Sequence, residues 1–377
     1  MKSHIKSSRN LCFTLLTFLL LAGCATDTTC KYVSNEPIFF PPAPDEPRIQ
    51  YLTGINSTSD IRINKKKGGI SFIATGKEQE EADIILGKSY GIEVHKGKIY
   101  VAEGQGKTVR IIDLKAGTIT EPKGVKSPAG ALKYPLNLTL DDDDNLYVAD
   151  TARRDVAVYD AAGNYKTSFA KGYGKGLEAK SKITDVKFYK GKLYALDLGS
   201  GLVRVFDPKT LEQLTEFGKS DKPGLSLSLP GNFTIDDDGF IYITNLGSNK
   251  VTKYDLDGNY VGSFGGVGDQ FGQFSKPKGI ALDPSKQIYV VDGGTNVVQL
   301  FNDQFRVLTY FGMPGLPYGS LNNPAGIATS TDNIAYFQKF AAPGFKVTHL
   351  IYVTSQFGSE FCIPRISVYG FGQMEKK

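Results

Sequence analysis

Five polar side chains have types and spacings that could bring oxygen ligands together: Glu93, Asn137, Asp185, Lys187 and Asn232. Carboxylate and amide oxygens are the ligands that hard divalent cations prefer, and a bound cation can activate water for hydrolysis. One interpretation is therefore a metal site formed by Glu93, Asn137, Asp185 and Asn232. The interpretation we favour is the lining of a hydrated internal channel, in which Asp185 pairs with Lys187 and no metal is bound.

Other residues able to do chemistry are few. The chain has three histidines and four cysteines, and it contains neither a Cys-x-x-Cys nor a His-Glu-x-x-His motif. His95 and His349 are the histidines outside the N-terminal leader, so a site of three histidine ligands cannot be assembled. We expect both histidines to lie on the surface. The sequence thus predicts no catalytic residue set and no cofactor.

The elements that must position these side chains are repeated strands. Residues 276–312 contain four short runs rich in β-branched and aromatic residues, separated by Gly, Asn, Asp and Pro. The runs are Gly279 to Leu282, Ile288 to Val291, Val297 to Phe301 and Arg306 to Phe311. Such runs joined by turn residues predict a four-stranded antiparallel meander. This unit is one blade of a β-propeller.

The period of the repeat predicts the number of blades. The second strand of each unit carries a tyrosine, and these are Tyr100, Tyr147, Tyr194, Tyr242, Tyr289 and Tyr352. Their spacings are 47, 47, 48, 47 and 63 residues. A near-constant period with four strands per unit indicates an all-β, six-bladed β-propeller. The longer final spacing reflects an insertion at 334–350, which we interpret as a lengthened hairpin.

The motif within the unit resembles the NHL repeat. Pro277, Gly279, Asp283, Tyr289 and Asp292 stand in the positions of that repeat, and the resemblance extends from about Arg48 to the end of the chain. It implies a propeller whose second strands end in turn-capping residues, here Glu103, Asp150, Asp197, Asn245, Asp292 and Ser355. Lactonase-like six-bladed propellers coordinate a metal with residue types comparable to those of the metal-site interpretation above. One propeller scaffold nevertheless hosts unrelated functions.

An N-terminal strand is predicted to close the ring. Arg48 to Gly54 resembles the fourth strand of the fifth blade, Arg306 to Gly312, whereas the sixth blade lacks a fourth strand of its own. We expect residues 48–54 to complete the sixth blade, which removes two open sheet edges. The propeller domain is therefore assigned to residues 48–377.

The N-terminus has the pattern of a secretory leader. Lys2, Lys6 and Arg9 precede an apolar segment, and Leu21-Ala22-Gly23-Cys24 follows it. The last four residues resemble a bacterial lipobox, which implies removal of residues 1–23 and lipidation of Cys24. By the same resemblance, Ala25 favours the outer membrane as the location. Residues 24–47 form a Pro-rich tether. The alternative to a lipoprotein leader is an ordinary signal peptide or an uncleaved anchor.

Two cysteines are neither removed with the leader nor lipidated, and these are Cys30 and Cys362. In an oxidising compartment they form either one disulfide or two free thiols, and the spacing does not decide between them.

Loss of the leader removes three basic and no acidic residues, which lowers the formal charge from +5 to +2. This near-neutral chain has no arginine-rich stripe, so nucleic acid is not an expected partner.

These observations predict a non-enzymatic binding or scaffolding module, lipid-anchored in the bacterial cell envelope. Its loops and channel mouth would be presented to a protein, peptide or glycan ligand, and the membrane is the other partner. The alternative is a metal-dependent hydrolase or lactonase that uses the channel carboxylates.

Overall fold

Several central strands of this protein are buried along their whole length, because both faces of each sheet are covered by neighbouring sheets. Strand Ile288–Asp292, for example, is buried at every position. The fourth strand of each repeat lies at the rim, and residues such as those of Gln213–Phe217 are largely exposed. A computed structural model describes residues 34, 36–62, 83–171, 181–316, 318–358 and 363–375.

Blades 1 to 3 are four-stranded antiparallel sheets numbered in chain order from the innermost strand outward. Blade 1 contains β3 (Ser89–His95), β4 (Lys98–Glu103), β5 (Thr108–Asp113) and β6 (Thr118–Thr120). Blade 2 contains β7 (Pro135–Leu140), β8 (Leu146–Asp150), β9 (Asp155–Tyr159) and β10 (Tyr165–Phe169). Blade 3 contains β11 (Ile183–Tyr189), β12 (Lys192–Asp197), β13 (Leu202–Phe206) and β14 (Gln213–Phe217).

Blades 4 and 5 repeat this order, and blade 6 draws strands from both ends of the chain. Blade 4 contains β15 (Pro230–Ile235), β16 (Ile241–Asn245), β17 (Lys250–Tyr254) and β18 (Tyr260–Gly265). Blade 5 contains β19 (Pro277–Leu282), β20 (Ile288–Asp292), β21 (Val297–Phe301) and β22 (Val307–Phe311). Blade 6 contains β23 (Pro324–Ser330), β24 (Phe345–Ser355), β25 (Ile366–Met374), β2 (Ile49–Ile55) and β1 (Ile38–Phe40).

The predicted ring closure is confirmed. Strand β2 pairs antiparallel with β25, with Ile49 opposite Phe371 and Ile55 opposite Ile366. Strand β1, which lies within the range assigned to the tether, adds a fifth strand on the outer side of β2. The six-bladed, all-β prediction is confirmed with it, and each marker tyrosine lies in the second strand of its blade.

The hydrophobic core consists of layers between adjacent blades. Between blades 5 and 6, Ile49 packs in one buried cluster with Val291, Leu300, Phe311 and Tyr369. The layer is completed by aromatic edge contacts, since the rings of Phe311 and Tyr369 lie 4.7 Å apart at 61°. The two chain termini therefore contribute to the same layer, and the ring cannot open without exposing it.

The insertion at 334–350 packs against this ring. It forms helix α1 (Ile334–Phe337) and a 3-10 helix (Gln338–Phe340) before β24 begins. Phe337 is fully buried in the core layer that joins blade 6 to blade 1. Gln50 on the closing strand accepts a hydrogen bond from the Ala342 amide at 2.9 Å. The insertion thus ties the N-terminal strand to the rest of blade 6.

Candidate functional site

The axis of the propeller is narrow beside blades 5, 6 and 1. A Cβ added at Gly326 would lie 2.3 Å from the Tyr90 carbonyl oxygen, and one added at Gly279 would lie 2.5 Å from the Ala325 carbonyl oxygen. Such distances are too short for any side chain. Glycine is therefore needed at both positions, because the innermost strands approach each other there at backbone distance.

The opposite side of the axis carries the polar side chains that the sequence predicted for the channel. Asn137 Nδ2 donates hydrogen bonds to the Thr184 carbonyl oxygen at 2.8 Å and to Asn232 Oδ1 at 2.9 Å. Gly91 makes room for this amide, since a Cβ there would lie 2.1 Å from Asn137 Oδ1. The two asparagines thus bridge blades 2, 3 and 4 across the axis.

An ion pair occupies the next level of the axis. Lys187 Nζ donates to Glu93 Oε2 at 2.8 Å, with side chains 23% and 29% exposed. Asp185 is buried and accepts hydrogen bonds from the Val186 and Phe233 amides at 2.8 and 3.0 Å. Asp185 is thus not hydrogen-bonded to Lys187, with which the sequence interpretation paired it, although the charges of the two groups act on each other. The lysine bonds to Glu93 on blade 1, and Asp185 is held by backbone donors.

Burial and charge shift the pKa values of this group. Burial raises the pKa of Asp185 to about 7, against the attraction of Lys187 and two backbone hydrogen bonds, and Glu93 adds to the rise. Burial alone would lower the pKa of Lys187, but Glu93 and Asp185 outweigh it and raise that pKa. The ammonium is consequently a permanent cation at neutral pH. It supplies the positive charge that these carboxylates require.

We expect the raised pKa of Asp185 to appear as pH-dependent stability. Between its unfolded value of 3.8 and its folded value of about 7, the folded protein binds more protons at this carboxyl than the unfolded chain. Stability from this group is therefore present at low pH and is lost as pH rises through about 7. Asp185→Asn removes the titration at the cost of one backbone hydrogen bond, which does not vary with pH.

Urea denaturation of both proteins from pH 4 to 9 measures the effect. The difference in free energy of unfolding between wild type and variant should change in favour of the variant as pH rises. A difference that is constant across this range would show that Asp185 is already ionised in the folded protein at low pH.

A divalent cation does not fit this arrangement. The Lys187 ammonium already contacts Glu93, and the Asn137 amide donates to the Asn232 oxygen that a cation would need. Within the described ranges, no group of three or more His, Cys, Asp or Glu side chains is placed to hold a metal ion. The structure therefore brings together all five predicted channel residues and joins four of them in pairs, whereas Asp185 accepts hydrogen bonds from backbone amides.

The polar residues at the ends of the second strands act as turn caps. Asp150 accepts hydrogen bonds from the Lys133 and Tyr134 amides at 2.6 and 2.9 Å. Asp292 accepts them from the Ser275 and Lys276 amides at 2.8 and 2.7 Å. Each cap fixes the connector that leads into the innermost strand of the same blade. These carboxylates stabilise the loops of one face and do not form a cation ring.

The capped connectors place one residue of each blade at the same height, immediately before the innermost strand. We call these the pre-strand positions; they are Lys88, Tyr134, Lys182, Leu229, Lys276 and Asn323. They surround the end of the axis on the face that carries the inter-blade connectors, which we call the connector face. Three of the six are lysines, a feature that a comparison of the repeats at this position would have revealed from the sequence.

The two histidines have different surroundings. His95 lies in a cleft of about 620 Å³ between blades 1 and 2, with Nε2 2.7 Å from Asp144 Oδ1. The surface prediction is wrong for His349, which is 5% exposed and stacks on Phe371 with ring centroids 4.7 Å apart. Burial lowers the pKa of His349, opposed by the charge of Asp283. It packs between blades 5 and 6, with Nε2 3.0 Å from the Tyr289 hydroxyl oxygen.

Residues 87–91 have the spacing Gly-x-Ser-x-Gly, which in hydrolases places a nucleophilic serine on a strand-to-helix turn. Here the serine is Ser89, at the start of innermost strand β3. Its side chain is fully buried, and its hydroxyl donates to the Gly87 carbonyl oxygen at 3.3 Å. This geometry does not present a nucleophile to solvent.

Three cysteines of the sequence predictions, Cys24, Cys30 and Cys362, lie outside the described residues. Lipidation and the disulfide stay predictions. Over the ranges that the structure describes, we find no helix of the length and apolarity needed to cross a membrane.

No protein-family model matches the sequence, and no curated protein matches it. Solved structures with a similar fold include a gluconolactonase from Xanthomonas campestris, at 13% identity, covering 90% of this chain and 97% of that chain with a TM-score of 0.55. A Bacteroides thetaiotaomicron protein of unknown function is 18% identical, covers 75% of this chain and 69% of its own, and has a TM-score of 0.54.

A catalytically inactive virginiamycin B lyase from Staphylococcus aureus, solved with quinupristin, is 16% identical. It covers 75% of this chain and 84% of that chain, with a TM-score of 0.50. At these identities the likeness concerns the fold alone. The class of the protein is thus a six-bladed β-propeller whose structural neighbours include a lactonase and a lyase.

Proposed function

We propose that this protein is a non-enzymatic binding or scaffolding module of the bacterial cell envelope. The connector face is its recognition surface, and its ligand is a protein, peptide or glycan. A rigid ring of blades suits this role, because loops held by a stable scaffold can be varied without loss of the fold.

One observation carries the proposal: four polar side chains of the axis bind one another in pairs, and the fifth, Asp185, is bonded to backbone amides. Lys187 neutralises Glu93, and the Asn137 amide binds Asn232. Groups whose hydrogen-bonding and charge requirements are met internally are poorly disposed to bind and activate a substrate. We therefore assign ligand recognition to the surface of the connector face, where the connectors and the pre-strand positions lie.

The alternative is a metal-dependent hydrolase or lactonase. It is favoured by the position of Glu93, Asn137, Asp185 and Asn232 on adjacent innermost strands, and by the fold similarity to a gluconolactonase. Against it, a divalent cation at Glu93 would lie beside the Lys187 ammonium, and the two positive charges would repel each other.

A crosslinked affinity purification from the native envelope, with elemental analysis of the same sample, separates the two functions. We expect a specific envelope partner and less than stoichiometric divalent metal. Stoichiometric Ca, Mn or Zn, together with hydrolysis of a lactone or ester, would overturn the binding-module proposal in favour of the hydrolase.

Lipid anchorage at Cys24 and an outer-membrane location belong to the same proposal. Several acyl chains on one residue anchor a protein stably, whereas a single chain binds only marginally. We expect Cys24→Ala to abolish incorporation of labelled palmitate and to release the protein from the membrane fraction. Cys30→Ala is the matched control and should keep both. Retention of label in the Cys24 variant would contradict the assignment.

A further inference from the structure

Three lysines stand at the start of innermost strands, at the connector-face end of the axis. Lys88 and Lys276 occupy pre-strand positions of blades 1 and 5, and Lys278 is the second residue of β19. Burial, followed by the charges of Lys276 and Lys88, lowers the pKa of Lys278 to about 8. The charges of residues from blades 1 and 5 thus act on the same ammonium.

Neutral groups are the hydrogen-bond acceptors of Lys278. Its Nζ donates to Asn323 Oδ1 at 2.6 Å and to the Pro324 carbonyl oxygen at 3.0 Å. In the part of the chain that the structure describes, none of the three lysines has a carboxylate within ion-pair distance. Asp292, whose charge acts on Lys278, already accepts hydrogen bonds from three amides. Among the described residues, the cluster therefore carries positive charge that no ion-paired carboxylate neutralises.

Aromatic rings and hydroxyl groups adjoin these lysines. The hydroxyls of Tyr90 and Tyr134 lie 2.5 Å apart, and their rings meet edge to face at 5.7 Å. Gly104 makes room for them, since a Cβ there would lie 2.9 Å from Tyr90 Cε2. Phe357 is 50% exposed, and Lys88 Nζ lies 4.9 Å from its ring centre. Flat apolar rings beside hydroxyl groups offer both kinds of contact that a sugar ring makes.

We propose that Lys88, Lys276 and Lys278, with Tyr90 and Tyr134, form a subsite for the carboxylate or phosphate group of an acidic saccharide. The lysines bind the anion by charge-assisted hydrogen bonds, and the tyrosines contact the ring and hydroxyls of the sugar that bears it. This inference rests on the proposed binding function and names the chemistry of its ligand.

The test is calorimetric titration of the full chain in detergent with four probes: a uronic-acid oligosaccharide, its carboxyl-reduced neutral form, a phosphorylated sugar, and inorganic phosphate. We expect binding of the uronate or of the phosphorylated sugar, and weak or no binding of the neutral form. K88Q/K276Q/K278Q should weaken that binding about 10-fold or more, since the variant removes the charge-assisted hydrogen bonds to the anion.

The matched control is K115Q/K192Q/K209Q, which removes the same charge from exposed lysines in hairpins away from the connector face. It should bind like the wild type. K88Q/K276Q, which spares the hydrogen bonds of Lys278, covers the case in which the triple variant unfolds, and it should still weaken binding several-fold.

Several outcomes would overturn the subsite. These are equal binding of the neutral form, equal losses in the control variant, binding of inorganic phosphate alone, or no binding of either acidic saccharide. Recovery of a partner in the affinity purification, undiminished by the triple variant, would reject the subsite while leaving the binding module standing.

The pH dependence of binding gives a second readout. Because the pKa of Lys278 is about 8, this side chain is cationic at pH 7 and largely neutral at pH 9. The other charged groups around it are Lys276, Lys88 and Asp292. Affinity for the acidic saccharide should therefore fall as pH rises through about 8, and this fall should be absent from a K278Q variant.

Discussion

Replacing Lys187 with methionine is expected to destabilise the propeller by about 2–3 kcal/mol, near the lower end of the cost of removing one member of a buried ion pair. The variant leaves the Glu93 carboxylate without its 2.8 Å partner. It also removes the cation whose charge opposes the rise that burial causes in the pKa of Asp185. The lower end applies because Glu93 is 29% exposed and can gain water. Urea denaturation at pH 7 measures the loss.

Lys192→Met is the matched control. Lys192 is exposed on the next strand, β12, so the same chemical change there should alter the free energy of unfolding by less than about 0.5 kcal/mol. An equal loss in both variants, or no loss in the Lys187 variant, would show that the ammonium does not stabilise the axis.

The Lys187→Met variant also distinguishes the two functional proposals. Once the ammonium is gone, Glu93, Asp185 and the two asparagine oxygens remain as ligands of the type that Ca²⁺ prefers. We expect millimolar Ca²⁺ to raise the melting temperature of the Lys187 variant and to leave the wild type unchanged, because a ligand stabilises only a state that it binds. A comparable rise in the wild type would favour the hydrolase.

Replacing Ile49 with alanine is expected to cost about 3 kcal/mol, because large-to-small substitutions at fully buried aliphatic positions cost about 2–5 kcal/mol. Ile49 is 0% exposed and lies on the closing strand, in the layer shared with Val291 and Phe311 of blade 5. The resulting cavity would weaken the junction that joins the two ends of the chain.

Leu308→Ala is the control, since Leu308 lies on outer strand β22 and is 49% exposed. Its loss should stay within about 0.5 kcal/mol. If Ile49→Ala proved equally mild under urea denaturation, the N-terminal strand would not be needed to hold the ring closed.

The positions of the side chains at the axis could be predicted in part. All five predicted channel residues lie on innermost strands, because each strand was recognised from its repeat. Their partners could not be predicted: Lys187 bonds to Glu93, 94 residues away, and Asn137 to Asn232, 95 residues away. Local sequence favoured the neighbouring pair Asp185 and Lys187, but the partners are set by distances across the axis.

Local patterns in the sequence determined the strands, the number of blades and the closing strand. Each blade is built from short-range hairpins, and sheets stacked face to face favour apolar residues on both faces of their central strands. These requirements act within about 45 residues and recur six times, so they are visible in one sequence. The confirmed pairing of β2 with β25 follows from them, since the only incomplete blade needed a fourth strand.

Tertiary structure alone decided which side chains meet between blades. It buried His349 against Phe371 and brought Lys88 of blade 1 near Lys278 of blade 5 at the connector face. Both depend on the curvature of the closed ring, which brings residues distant in the chain to the same axis. Because hydrogen bonds and charge interactions act over a few ångströms, their partners are fixed only after the ring has closed.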